Sequence, residues 1–198
     1  MMQICFKKGL AGLFFSAMFL LFFSAPARTQ VLAHSAEVAG TIGYDHTVYS
    51  PPDGPTSTHF FGASGGYNLT SQVTVLGEYK YDPLNFSGGS ITYHNQLFGG
   101  AARYNILSSK KIVPFAVFGA GSFRMTASEG SLTESNNGYY VNFGGGASIY
   151  LANNWGVRPE FRWERQHVNL TSMEVIGHVS NVSGSIFYQF GGRGHRKN

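Results

Sequence analysis

The sequence predicts an all-β protein: an eight-stranded antiparallel transmembrane β-barrel, an up-and-down meander behind an N-terminal signal peptide. Three observations predict it. The first is the segment Val157 to Gln166, where Arg158, Glu160, Arg162 and Glu164 take every second position and Val157, Phe161 and Trp163 fall between them. Period two is the mark of a strand, here with one charged and one apolar face. The second is the start of the chain, which reads as an export signal. The third is an alternation of short and long connections between strand-like segments. A strand that is greasy outside and charged inside suits a closed barrel in lipid.

The export signal has Lys7 and Lys8 as its positive region and Gly9 to Phe23 as its apolar core, with Ala25-Pro26-Ala27 in the small-x-small form of a cleavage site. Residues 1–27 are therefore expected to be signal peptide, with a second candidate cut as late as residue 36. The single cysteine, Cys5, lies before the apolar core, so the mature chain is expected to carry no disulfide and no thiolate metal site. Losing Lys7 and Lys8 takes the 14 basic residues to 12 against 10 acidic ones, which leaves a net charge of only +2. Such a balance gives no case for nucleic-acid binding. The 26 Gly, 17 Phe and 11 Tyr, with 12% charged residues, do not suit a disulfide-rich secreted module. After the signal no run of 18 apolar residues occurs, which excludes a helical span.

The expected barrel covers residues 36–190. Strand one spans about Ala36 to Asp45, with Val38, Gly40, Ile42 and Tyr44 on one face. Strand two spans about His59 to Tyr67, with ambiguous facing because Phe60 and Phe61 are adjacent. Strand three runs from about Gln72 to Tyr81 and sets Val73, Val75, Tyr79 and Tyr81 against Thr74, Glu78 and Lys80. Strand four, about Ile91 to Asn105, sets Phe98 and Tyr104 against Arg103 and Asn105. Strand five, about Val113 to Met125, is read with Phe115, Val117, Phe123 and Met125 on the lipid face, opposite Ala116, Ala120, Ser122 and Arg124. Strand six is about Tyr139 to Leu151, strand seven is the Val157 segment, and strand eight is about Val179 to Phe190.

Asn68 to Ser71, Ser108 to Lys111 and Ala152 to Asn154 read as tight turns. Long polar links are expected near 47–57, 82–90, 126–138 and 167–177. Short turns on one side and long loops on the other match periplasmic turns and extracellular loops. Residues 191–198 are expected to form a basic periplasmic tail. Pro114 and Pro159 each remove a ladder hydrogen bond and sit near strand ends on the short-turn side, where the loss is mildest. Tyr44, Tyr67, Tyr79, Tyr81, Tyr93, Tyr104, Trp155 and Trp163 lie mostly near strand ends, as interfacial girdles require.

These features carry a resemblance. The run from Phe115 to Gly121, the strand from Gly156 to Arg162 and the ending from Gly184 to Phe190 make the chain resemble the small OmpA-like or opacity-type outer-membrane β-barrel proteins over nearly all of its mature length. The resemblance implies the bacterial outer membrane, contact with its lipid and lipopolysaccharide, and no cofactor. It also implies that Ile186, Tyr188 and Phe190 form the signal read by the barrel-assembly machinery, although eight residues follow Phe190. It implies a non-enzymatic role in envelope integrity or surface contact through four extracellular loops.

Three sets of site residues stand out. By parity Glu37, Glu78, Lys80, Arg103, Arg124, Arg158, Glu160, Arg162 and Glu164 would point into the lumen. There they could line a gate or narrow ion path, as in a small porin. Alternatively they form a salt-bridged plug, which the small interior of eight strands favours. His178-Val179-Ser180-Asn181 resembles the His-x-Ser-Asn motif of outer-membrane lipid A deacylases. A serine hydrolase needs an acid to orient the base, and no Asp or Glu follows Ser180. Glu174 lies four residues before His178, about 13 Å along a strand. His46, His59, His94 and His167 near loop-side strand ends are candidates for a shared metal site, but they lack ligand spacing.

Overall fold

The computed structural model describes residues 31–50, 56–84, 92–129, 132–170 and 173–191. The expected signal peptide at 1–27 lies outside them, as does the expected tail at 191–198 except for Gly191, which ends the last strand. Eight strands follow in order: β1 (Ser35–Ser50), β2 (Thr56–Asn68), β3 (Val73–Leu84), β4 (Thr92–Asn105), β5 (Ile112–Glu129), β6 (Leu132–Tyr150), β7 (Trp155–Leu170) and β8 (Met173–Gly191). Each pairs antiparallel with the next, and β8 closes on β1. The sheet has no edge, so the ladder leaves no row of unpaired N–H and C=O groups facing lipid.

The register fixes the shape. From Ser35 the cross-strand partners run through Asn68, Thr74, Arg103, Val117, Gly144, Arg162 and Asn181 and return to β1 at Asp45, ten residues above the start. A stagger of ten over eight strands, at about 3.3 Å per residue and about 4.8 Å per strand, tilts the strands by about 40°. A barrel of this size has an interior that side chains can fill.

The turns are those expected: residues 69–72, 106–111 and 151–154 join strands at one end. The long links prove shorter, because the strands run on into them. β5 and β6 pair as far as Glu129 and Leu132, and β7 and β8 as far as Leu170 and Met173. Asp82, expected in a link, is inside β3. Below β1 the chain turns at His34, which has φ 57°, and its N–H donates to the Asn68 carbonyl at 2.7 Å. Val31 then packs against Ala39, Val113, Tyr150 and Phe187 and closes the barrel floor.

Parity places Ile42, Phe61, Phe98, Phe143, Phe161, Val182 and Ile186 outside, as an apolar wall. Strand five corrects the sequence reading. Phe115, Val117 and Phe123 are buried in the lumen, while Ala116, Phe118, Ala120, Ser122 and Arg124 face out. The register allows nothing else, because Val117 pairs with inward Arg103 and Phe123 with inward Leu97. Room for these rings comes from glycine. A Cβ on Gly138 would strike the Phe123 ring, and one on Gly99 would strike the Tyr140 hydroxyl. Gly121 is tighter still, since its Cβ would meet the backbone of Phe98 and Gly99.

Two substitutions separate these roles. Gly121→Val drives a side chain into backbone that cannot yield, so the heat-sensitive fast band of a folded barrel should vanish from unboiled gels. Gly65→Ala adds a methyl to open space on the outer wall and should leave that band unchanged.

Candidate functional site: a charged lumen and an outer rim

Inside the barrel the charges form three tiers. At the lowest, Glu37 accepts from both terminal nitrogens of Arg103 at 2.9 and 2.6 Å and from Arg158 at 3.0 Å. All three side chains are buried. Arg158 also donates to Ser148 Oγ at 3.0 Å, and its guanidinium lies 4.6 Å from the Phe187 ring centre. Asn68 and Thr74 extend the network towards Ser35 at the floor.

The middle tier is Arg162, which donates to both oxygens of Glu78 at 2.6 and 2.7 Å and to Glu160. In the upper tier Lys80 reaches Asp45 at 2.7 Å, Asp82 at 3.6 Å and Glu164 at 3.7 Å. Asn181 donates to the other Asp45 oxygen at 2.7 Å, and Gln166 to Glu164 at 2.6 Å. Apolar groups lie between and above the tiers: Leu76, Ala101, Phe115 and Val117 in one cluster, Leu97, Phe123, Tyr140 and Val168 in another.

Among the described residues the lumen holds a cavity of about 80 Å³ bordered by Glu78, Lys80, Tyr140, Asn142, Arg162 and Glu164. That is room for a handful of water molecules. The lumen tiers hold Glu37, Asp45, Glu78, Asp82, Glu160 and Glu164 against Lys80, Arg103, Arg158 and Arg162. The tiers thus hold two more carboxylates than cations.

Of the nine charges the sequence points inward, the tiers contain eight. Arg124 is the exception: it stands exposed on the outer wall, because strand five is turned over relative to its expected facing. Asp45 and Asp82 join the tiers although sequence reasoning did not put them in the network. Asp45 could have been found, since its parity matches Glu37. Asp82 was hidden by its placement in a link, beside Pro83.

The deacylase-like motif does not assemble. His178 is exposed and its ring lies 5.5 Å from that of Trp163, while Ser180 shares the outer face. The carboxylates of the neighbouring strands, Glu164 and Asp45, point to the other side of the wall. His46 lies cross-strand from Ser180 but engages Ser57 Oγ through Nδ1 at 3.0 Å. The side chain of Glu174 lies outside the described residues. His46, His59, His94 and His167 spread over four strands. Among the described residues no three potential ligands cluster to hold a metal.

The family model described as the outer membrane protein beta-barrel domain matches residues 15–190. The chain belongs to this family. This outer-membrane barrel therefore resides in the bacterial outer membrane, where its apolar wall meets lipid. No curated protein matches it in sequence. Solved structures share its fold. Neisserial surface protein A has 13% identity and TM-score 0.68, with 78% of this chain and 97% of that one covered. The N-terminal barrel of Pseudomonas aeruginosa OprF has 16% identity and TM-score 0.50, with 79% and 99% covered. OprG, also from Pseudomonas aeruginosa, has 9% identity and TM-score 0.50, with 82% and 99% covered.

Glu37 is the hinge of the lowest tier, since one carboxylate serves two guanidinium groups. Glu37→Ala leaves both without their anion in a buried place, and should destabilise the barrel by about 3–5 kcal/mol. Replacing Glu37, Arg103 and Arg158 together with Leu, Met and Met removes the anion and both of its cations and should cost far less. Urea unfolding in detergent micelles measures both; equal losses would mean that the pairing is not what matters.

Proposed function

We propose that this barrel is a non-enzymatic envelope protein that acts through its surface, at the end away from its short turns. The observation that carries the reading is the filled lumen: interior charges are spent on one another and the remaining cavity is small. The outward His178 and Ser180, with no acid beside them among the described residues, support the same reading over a lipid A hydrolase. In this orientation the turns at 69–72, 106–111 and 151–154 are periplasmic, and the connections at 51–55, 85–91, 130–131 and 171–172 are the four extracellular loops. Beyond the apolar wall β6 presents Thr133, Glu134, Ser135 and Asn137, exposed and polar, as a surface for contact.

Ile186, Tyr188 and Phe190 all face out along β8. That leaves them presentable to the barrel-assembly machinery before β8 closes on β1. Val31 in the floor favours signal cleavage after Ala27, since a cut near residue 36 would remove it.

Three measurements test the reading. An epitope inserted between residues 130 and 131 should be stained on intact cells; staining only after permeabilisation would invert the orientation. The native protein in planar bilayers should show no discrete conductance, whereas Arg162→Ala combined with Glu78→Ala should open a cation-preferring path. The acyl pattern of lipid A should be identical with and without the protein.

A further inference from the structure

The outer wall carries a feature that neither the lumen nor the motifs use. Just above the apolar band, on the side of the proposed extracellular loops, five histidines face outward: His46 on β1, His59 on β2, His94 on β4, His167 on β7 and His178 on β8. Arg124 on β5 and Arg165 on β7 face the same way. The register puts them at one level. Arg165 is directly cross-strand from His178, His178 neighbours Val48, and His46 lies two residues below Val48 on β1. His167 and Arg165 are two apart on β7, and Arg124 is one cross-strand step from Gln96, two residues from His94.

Four of the five imidazoles rest against an aromatic ring of the same wall. Centroid separations are 5.4 Å for His59 and Tyr44, 5.7 Å for His94 and Tyr81, 4.8 Å for His167 and Tyr139, and 5.5 Å for His178 and Trp163. Aromatic faces favour cations. The other titratable groups of this belt are the phenols of those tyrosines. The neighbouring carboxylates Asp45, Asp82 and Glu164 point into the lumen, on the far side of the wall. Among the described residues no carboxylate shares the belt. Beneath His59 the wall holds a shallow, open and largely apolar trough between Ile42, Tyr44, Phe61, Val182 and Gly184.

We propose that this belt is a pH-graded clamp for the phosphate groups of the outer-leaflet glycolipid. The two arginines hold phosphate at any pH, the imidazoles add to the grip on acidification, and the trough seats an acyl chain. The chemistry follows from the residues. Phosphate pairs well with guanidinium, and imidazole is the side chain whose charge changes between about pH 5 and 8. With Asp45, Asp82 and Glu164 turned to the lumen, the added charge on the belt is left to the ligand. The inference rests on the orientation proposed above, because phosphorylated glycolipid meets only the loop-side rim.

The test uses the full mature chain refolded in zwitterionic micelles and titrated with headgroup-labelled diphosphoryl lipid A, with the phosphate-free lipid as control. For the native protein the association constant should rise about tenfold or more between about pH 8 and about pH 5.5, while the phosphate-free lipid shows no rise. Changing His46, His59, His94, His167 and His178 together to Gln should abolish the rise, with the heat-shifted band on gels showing that the barrel still folds. Arg124→Gln with Arg165→Gln should weaken binding several-fold at both pH values. No rise in the native protein, or an equal rise in the five-Gln variant, overturns the clamp. Epitope staining on intact cells decides orientation separately, so a failed clamp and an inverted barrel give different results.

Discussion

A backbone amide in hydrocarbon has no water to turn to, and that constraint shapes the whole molecule. Eight strands satisfy it only by closing, with a stagger of ten residues that brings Ser35 round to Asp45. Closure at that stagger sets the tilt, and the tilt sets the width of the interior. The interior is then too narrow for bulk water, so side chains that point inward have to solvate one another. Glu37 between Arg103 and Arg158 is the direct consequence, and so is Arg162 gripping Glu78 with both arms.

Buried ion pairs are a costly way to fill space, because desolvation offsets most of their attraction. Here the cost is limited in two ways. Each cation has more than one partner, and several also lie over rings: Arg103 and Arg158 by Phe115, Lys80 by Phe60. The apolar clusters between the tiers then shield the pairs from one another's solvent. An interior committed to this arrangement engages most of its charges with one another. The chemistry that can face a partner is displaced to the rims and the outer wall.

Much of this was legible because a wall between lipid and lumen writes period two strongly where the inner residues are charged. β1, β3, β7 and β8 show it plainly, and their facings follow from sequence alone. β5 hides it. Its inner residues Phe115, Val117 and Phe123 are apolar, and its outer ones include Ala116, Ala120 and Arg124, so the usual polarity is reversed and parity from composition picks the wrong side. The missing information is long-range. Only the register to β4, and the space left by Gly99 and Gly138 for Tyr140 and Phe123, tells which face is in. Asp82 was obscured for a different reason: Pro83 and the polar residues after it look like a loop, yet a strand near the barrel rim tolerates a proline.

The outer wall poses the problem of the lumen in reverse. A charge facing lipid has no partner supplied by the fold, so permanent cations are expensive there except at the headgroup boundary. Arg124 and Arg165 occur only at that level, beside aromatic residues that prefer the same depth. Histidine relaxes the constraint. A neutral imidazole can enter the membrane during assembly at small cost, and becomes a cation only where water and anions are available. Its contact with Tyr139, stacked, or Trp163, tilted, offers apolar surface to a neutral ring and an electron-rich face to a cation. A belt rich in histidine rather than lysine therefore reconciles insertion through hydrocarbon with an anionic boundary. The same sheet thus pairs fixed charges within and sets imidazoles and guanidinium groups on its outer rim.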